Sequence, residues 1–222
     1  MSTDRVKTHR ATKSRPPGRS WHRGLDRQSV IDEALQILDA EGRPALTMRR
    51  LAEALGVEAA SLYAHVGSKE DLVDAVLDQV LDAIPLPEPG PDPRAQLIAG
   101  FMSYRAGLLA HPAVVPMINE RARTSPSQVR LITRSIELLE ESGLSTRAAV
   151  DAQVTIVAFV LGFILQEVGR SAAAPREVLE ASPVLRRALT TLAERSVDDR
   201  FVVGIGLILD GVDAGRERAR RG

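Results

Sequence analysis

The side chains best suited to recognising another molecule are hydrogen-bonding and cationic groups gathered between residues 47 and 69. A serine, a tyrosine and a histidine alternate there, with arginine, lysine and threonine on either side. Arginine and lysine neutralise phosphate charge, whereas hydroxyl and imidazole groups reach phosphate oxygens or base edges. The set comprises Thr47, Arg49, Arg50, Ser61, Tyr63, His65 and Lys69.

The sequence supplies few groups for catalysis or metal binding. It has no cysteine, which excludes thiolate nucleophiles, thiolate metal sites and disulfides. The four histidines are far apart, and none pairs at the i, i+4 spacing of a helical metal site. We find no Gly-rich phosphate loop and no Ser/His/Asp grouping. These observations predict no metal, no cofactor and no enzyme, with an enzyme that uses a C-terminal cavity as the alternative.

Charge is divided unevenly along the chain, although the formal net charge is +0. Residues 1–24 hold seven basic residues against one acid, Asp4, so this segment carries +6 and the remainder −6. With Pro16-Pro17-Gly18 and few large apolar groups, the segment is predicted to be a flexible basic arm. Two interpretations stay open, an arm that contacts duplex DNA and a solvated tail.

Composition predicts a cytoplasmic globular protein. The 222 residues, 44% of them hydrophobic, suffice for one large or two modest domains. The basic N-terminus has no apolar h-region behind it, which argues against a secretory signal. The longest strongly apolar stretch, residues 154–165, is about half of the roughly 20 residues that a membrane span needs. We therefore expect no membrane partner.

Helical periodicity and capping residues predict an all-α chain. Four helices are expected at about 26–42, 47–55, 59–66 and 68–84, with Gly56 closing the second. The proline-rich run 85–93 cannot continue a helix and is predicted to divide domain 25–84 from domain 94–222. Six further helices are predicted near 94–110, 112–122, 127–142, 146–169, 183–195 and 199–218.

The second and third helices carry the spacing of a helix-turn-helix. Ala52, Gly56 and Leu62 stand at relative positions 1, 5 and 11. The small alanine lets the third helix cross closely, the glycine permits a tight turn, and the leucine packs back to fix the angle between the two helices. This arrangement frees residues 59–66 to enter a major groove. The alternative is a helix pair that never meets DNA, but the cations of an otherwise acidic segment flank this helix.

At these residues the chain resembles a known family. Residues 25–80, above all LTMRRLAEALGV (46–57), SLYAHV (61–66) and Lys69, resemble the DNA-binding domain of the TetR family of repressors. Residues 104–111, 143–167 and 201–211 are similar to the tetracycline-repressor branch. The resemblance implies an N-terminal three-helix helix-turn-helix domain and a larger C-terminal helical domain for effector binding and dimerisation.

The resemblance implies DNA contacts from Arg49, Ser61, Tyr63, His65 and Lys69, with Thr47 at the start of helix two. Arg50 joins this set by its charge and position. Ala59 departs from the pattern, because tetracycline repressors hold a base-contacting amide side chain there. Alanine neither donates nor accepts, so a different operator sequence is expected.

The resemblance also implies an effector cavity. Pro85 and about Ile118 occupy the positions of the family's drug- and magnesium-binding histidines, and neither side chain ligates a metal, which argues against tetracycline with magnesium. Core packing is the alternative for the apolar cavity members, and surface positions are the alternative for Arg121 and Gln153. The expected lining is Tyr104, Arg121, Ser135, Val150, Gln153, Val157 and Gln166.

Helices 146–169 and 199–218 are apolar around nearly their whole circumference, which predicts a homodimer through a four-helix contact. Gly162, Gly204, Gly206 and Gly211 are expected to allow close helix approach. Helices buried within one subunit are the alternative. A dimer fits a palindromic operator with half-sites about 34–36 Å apart, and an effector that favours another spacing lowers DNA affinity. An effector-independent DNA-binding protein stays as a third possibility.

Overall fold

The computed structural model describes residues 25–120, 125–169 and 182–221, and the described part is helical with no strand. The all-α prediction is therefore confirmed. The helices, numbered here in chain order, are α1 Arg27–Glu41, α2 Met48–Leu55, α3 Ala59–Leu62, α4 Lys69–Asp82, α5 Pro93–Ala110, α6 Val115–Glu120, α7 Pro126–Glu141, α8 Thr146–Val168, α9 Pro183–Ala193 and α10 Val197–Arg221. The predicted basic arm lies outside the described residues.

The N-terminal helices begin at the predicted caps. The Asp26 carboxylate accepts from the Ser29 N–H at 2.7 Å, and the Thr47 hydroxyl accepts from the Arg50 N–H at 3.0 Å. Ser68 caps α4 by accepting from the Asp71 N–H at 3.0 Å. These side chains satisfy amides that have no partner within the helix, so the starts of α1, α2 and α4 are local properties of the sequence.

Two predicted helices are shorter than expected. The α-helix predicted over 59–66 ends at Leu62, and Tyr63, Ala64 and His65 continue as tighter turns with i to i−3 hydrogen bonds of 3.3, 3.3 and 2.9 Å. The segment predicted as one helix over 112–122 begins with a 3₁₀ turn at Pro112–Val114 before α6. Both segments connect longer helices, and there the backbone adopts the tighter 3₁₀ type of turn instead of the α-helix.

One apolar core runs through both halves of the described chain. Val30, Leu38 and Leu51 are buried in the N-terminal half, and α4 carries the core onward to Ile84, which is fully enclosed. Helix α4 packs against α1 on one side and against α5 and α7 on the other. Arg43 and Glu120 form an ion pair of 2.6 Å between the two halves. The helix-turn-helix unit is thus seated on the C-terminal bundle.

Helix α8 is the interior helix of the C-terminal half. Its 23 residues, with a mean hydropathy of 2.1 over their most apolar window, are long and apolar enough to cross a membrane by length and composition. Packing accounts for part of this hydropathy, because α8 contacts α5, α7 and α10. Ile156, Val160 and Ile164 are fully buried in those contacts. One side of α8 is therefore a core face, and other apolar residues of the helix, such as Val168, stay exposed.

Candidate DNA-binding surface and effector cavity

The crossing of α2 and α3 has the predicted helix-turn-helix geometry. Ala52 and Leu62 are buried, and the Ala52 carbonyl accepts from the Val57 N–H at 3.0 Å. Gly56 is left-handed at φ 69°, a conformation that other residues rarely adopt. A Cβ at Gly56 would meet nothing within 4 Å, so this glycine is required for its backbone angle and not for space.

The recognition segment, residues 59–65, presents its polar groups to solvent. Tyr63 is 52% exposed, and Ser61 is exposed beside it. His65 is half-buried, and its carbonyl accepts from Arg27 Nη1 of α1 at 3.0 Å. Arg27, absent from the predicted set, holds the end of the segment against α1. The two residues are 38 positions apart, so spacing alone offered no signal of this contact.

The flanking cations differ in their availability. The side chain of Arg49 is 89% exposed and forms an i, i+4 ion pair with Glu53, at 3.0 Å. Lys69 is exposed at the first residue of α4. Arg50 instead forms a two-pronged ion pair with Glu41 of α1, which lowers the pKa of the glutamate and raises that of the arginine. Arg50 thus braces α2 against α1, whereas Arg49 and Lys69 face solvent.

A cavity of about 450 Å³ lies between α5, α7 and α8, with the proline-rich segment after α4 along one edge. Five of the seven predicted lining residues line it: Tyr104, Ser135, Val150, Gln153 and Val157. Arg121 lies outside the described residues. Gln166 is exposed and does not line the cavity, because it follows Gln153 by about 220° around α8.

The predicted lining set missed most of the α7 wall. Gln128, Leu131, Ile132 and Ser135 all line the cavity. They follow the i, i+3, i+4, i+7 stripe of one helix face, a periodicity that the sequence contains. That stripe alone does not distinguish a cavity wall from a filled core, because the same pattern serves both.

Polar groups in the cavity are few and mostly engaged with one another. Ser135 Oγ lies 2.7 Å from Gln153 Oε1 and 2.9 Å from the Ile132 carbonyl. The Gln96 amide donates to the Gly90 carbonyl at 2.8 Å and accepts from Arg134 at 3.1 Å. Burial raises the pKa of Tyr104 to about 12, so its hydroxyl keeps its proton at neutral pH.

The cavity does not fit the magnesium chelate of the tetracycline repressors. Among the described residues, its lining contains no carboxylate and no imidazole, the groups that would ligate magnesium directly or hold its waters. Pro85 does line the cavity, and Ile118 lies on α6 away from it.

Helix α7 joins the cavity wall to α4. Ser127, at the start of α7, donates its N–H to the Asp78 carboxylate of α4 at 3.1 Å. Arg130, one turn along α7, reaches the final carbonyls of α4, including that of Asp82 at 3.1 Å. Helix α4 begins at Lys69, beside the recognition segment. Helix α4 therefore connects the α7 wall of the cavity to the DNA-binding half.

An exposed apolar face follows α8 and α10. Leu207 of α10 is 67% exposed and Val168 of α8 is 45% exposed. A Cβ at Gly162 or Gly211 would meet nothing within 4 Å, so both glycines leave open space on the monomer. Gly204 behaves differently, because its space is already filled by the Phe159 ring of the same chain.

A helix-turn-helix with a solvent-facing recognition segment, seated on a helical bundle that encloses a cavity, defines a DNA-binding transcriptional regulator. Residues 30–76 match the family described as "Bacterial regulatory proteins, tetR family". Residues 86–216 match "Tetracyclin repressor-like, C-terminal domain". The chain belongs to the TetR family.

Individual relatives agree over most of the chain. It is 34% identical to the "Tetracycline repressor protein class A from transposon 1721" of Escherichia coli, over 85% of this chain and 90% of the relative. Apo ActR of Streptomyces coelicolor superposes with a TM-score of 0.74 at 31% identity, covering 88% of this chain and 98% of ActR. BioQ, solved with its double-stranded DNA operator, superposes with a TM-score of 0.67 at 25% identity, covering 86% of this chain and 99% of BioQ.

Proposed function

We propose that the protein is a repressor that binds a palindromic operator as a homodimer and is released when an uncharacterised small molecule occupies the cavity. The observation that carries this proposal is the double role of α7, which forms one wall of the cavity and also holds α4, the helix that leads to the recognition segment. Binding and release then share one mechanical element.

The recognition segment supplies the DNA contacts in this proposal. Ser61 and Tyr63 are exposed side chains that reach base edges or phosphate oxygens, and His65 borders them. Arg49 and Lys69 neutralise phosphates on either side. Thr47 and Arg50 position the helix-turn-helix. Thr47 caps the start of α2, and Arg50 pairs with Glu41 of α1.

The homodimer forms in this proposal through the exposed face of α8 and α10. Solvent exposure of large residues such as Leu207 and Val168 is costly, and a two-fold contact covers both copies of the face. The open space at Gly162 and Gly211 allows close approach of a partner helix. Two-fold pairing presents two recognition segments to half-sites about one helical turn apart.

The relatives support both halves of the proposal. ActR of Streptomyces coelicolor has been solved with actinorhodin and with (S)-DNPA, and BioQ with its DNA operator. Members of this family are soluble DNA-binding proteins. We place this chain in the cytoplasm, where it has access to DNA, and infer that it acts by binding and not by catalysis.

DNA recognition is tested by selecting bound sequences from a random duplex pool and measuring operator affinity by fluorescence anisotropy. Arg49→Ala and Tyr63→Ala should each weaken operator binding by about 1–3 kcal/mol. Arg186→Ala, which removes an exposed arginine of α9, is the matched control and should leave affinity unchanged. Operator affinity that survives both substitutions in the recognition segment contradicts the assignment.

Assembly is tested separately by light scattering. Leu207→Glu should convert the dimer into monomers and weaken operator binding, because a charge would be buried at the two-fold contact. Leu192→Glu places the same charge on an exposed leucine of α9 and should leave the dimer intact. A Leu207→Glu protein that stays dimeric would reject this face as the interface.

A further inference from the structure

We propose that the cavity selects an uncharged, largely apolar effector whose carbonyl-type oxygen accepts hydrogen bonds from Gln153 Nε2 and the Tyr104 hydroxyl. This inference rests on the proposed function, because it treats the cavity as the effector site. It adds the chemistry of the ligand, which the surrounding side chains define.

The walls of the cavity are apolar over most of their area. Leu97 and Phe101 of α5, Leu131 and Ile132 of α7, and Val157 and Leu161 of α8 contribute hydrocarbon surface. A volume of about 450 Å³ is within the range of pockets that hold a drug-sized molecule. Apolar surface of the ligand therefore supplies most of the binding free energy, and the polar groups select among apolar molecules.

Gln153 is the polar group best placed to make that selection. Its side chain is buried, with 7% of the residue exposed, and its Oε1 is engaged by Ser135. Its Nε2 has no hydrogen-bond partner among the described residues, although the residue lines the cavity. Because Gln153 lines the cavity, this unpartnered amide group is available to a ligand oxygen, and the bond is made away from bulk water.

Tyr104 supplies a second donor from the facing helix α5. Its hydroxyl is protonated at neutral pH and has no partner among the residues that the structure describes. Gln153 and Tyr104 therefore offer N–H and O–H donors from two different walls. A carbonyl oxygen has two lone pairs and can accept from both.

The one cation in the described lining is not free to bind an anion. Arg134 lies 3.0 Å from Glu141 and 3.3 Å from Glu137, and it also donates to the Gln96 amide. These carboxylates raise the pKa of Arg134 and offset its charge. A carboxylate on the ligand would thus lose water without gaining an available cation from the described lining, which favours an uncharged effector.

Three aromatic probes of similar size test the inference, with binding measured by calorimetry on the full-length protein without DNA. Flavone is uncharged and carries a ketone, 2-phenylnaphthalene lacks the oxygen atoms, and flavone-8-carboxylate adds a charge. Flavone should bind most tightly. Gln153→Leu and Tyr104→Phe should each weaken flavone binding about three- to tenfold, the range for one neutral hydrogen bond, and leave 2-phenylnaphthalene unchanged or tighter.

Gln166→Leu is the matched control, because it removes an exposed glutamine of the same helix. The Gln153→Leu protein keeps the Ser135 hydroxyl bonded to the Ile132 carbonyl, and its melting temperature checks the fold. The inference is overturned if flavone does not bind, if flavone-8-carboxylate binds more tightly, or if Gln153→Leu and Gln166→Leu bind flavone equally. Release of the operator by a charged compound would reject this ligand chemistry and leave the repressor proposal standing. Failure of the native protein to select any duplex sequence would instead reject the repressor proposal.

Discussion

Arg130 of α7 donates through Nη2 to the carbonyl oxygen of Ile84, just beyond the end of α4, at 3.2 Å. The same nitrogen lies 3.3 Å from the Leu81 carbonyl and 3.1 Å from the Asp82 carbonyl. The Leu81 and Asp82 oxygens belong to the last turn of α4, where backbone acceptors lack helical partners and the helix dipole favours a cation. The wall of the cavity is thereby fastened to the helix that carries the DNA-binding half.

Replacing Arg130 by methionine should loosen this fastening while preserving most of the side-chain length. We expect the free energy of unfolding to fall by about 1–3 kcal/mol, because carbonyls near the end of α4 lose a charged donor. Urea denaturation measures the change, with Arg186→Met on the exposed face of α9 as the control. Equal stability of the two variants would show that the hydrogen bonds from Arg130 to the end of α4 contribute nothing to stability.

Asp78 should make the contact between α4 and α7 sensitive to acid. Partial burial raises the pKa of Asp78, but hydrogen bonds from Ser125 and Ser127 outweigh burial and hold the pKa below its ordinary value. A lowered folded-state pKa stabilises the protein above the unfolded-state pKa of about 3.9, and this stability is lost as pH falls through the folded-state value.

Asp78→Asn should therefore be less stable than the native protein at neutral pH, and the difference should shrink as pH falls below about 4. Denaturant titrations between about pH 2.5 and pH 7 measure it. Asp151→Asn, at an exposed position of α8, is expected to follow the native curve. A difference between Asp78→Asn and the native protein that does not vary with pH would contradict the expectation.

Arg105 should be among the most costly polar residues to remove. Its buried guanidinium forms two hydrogen bonds with Glu167, at 2.9 and 2.7 Å, and one with Asp198 at 2.8 Å, and it lies 5.3 Å from the centre of the Phe201 ring. The carboxylates that would remain are partly solvated, so Arg105→Leu should lower the free energy of unfolding by about 1–3 kcal/mol.

Arg105→Lys should recover only part of this stability, since an ammonium group cannot reproduce the planar two-pronged pair with Glu167. Arg147→Leu, which removes an exposed arginine of α8, should change stability little. Chemical denaturation compares the three variants. An unchanged free energy of unfolding in Arg105→Leu would mean that the ion pairs of Arg105 stabilise the protein no more than the packing of a leucine at that position.

Gly107 should resist substitution even by alanine. An added Cβ would lie 2.6 Å from Cγ1 of Ile84, a fully buried side chain. Alanine gains about 1 kcal/mol of helix propensity, but overpacking a core costs about 1–3 kcal/mol, so we expect net destabilisation.

A double-mutant cycle isolates the contact between Gly107 and Ile84. Ile84→Ala removes the obstructing atoms, and Gly107→Ala in that background should be neutral or stabilising. Thermal unfolding of the four proteins gives the coupling. Additive effects of the two substitutions would show that Ile84 does not limit the space at Gly107.

Local chemistry allowed much of the N-terminal half to be predicted. Asp26, Thr47 and Ser68 cap helices, and Gly56 closes α2, because each acts through backbone groups within a few residues. The helix-turn-helix followed from the same local pattern. The place where α3 yields to tighter turns was missed, because short connections are governed by the packing around them.

The tertiary structure alone decided which side chains meet. Arg50 appeared as a free cation in the sequence but pairs with Glu41, and Gln166 appeared as a cavity residue but lies on another face of α8. The link from Arg130 to the end of α4 spans more than forty residues. Helix formation depends on neighbours within one or two turns, whereas ion pairs and cavities depend on how complete helices pack. The amino-acid order therefore specified most helices and their ends. Packing specified the cavity, the contact between Arg130 and α4, and the cations that stay exposed.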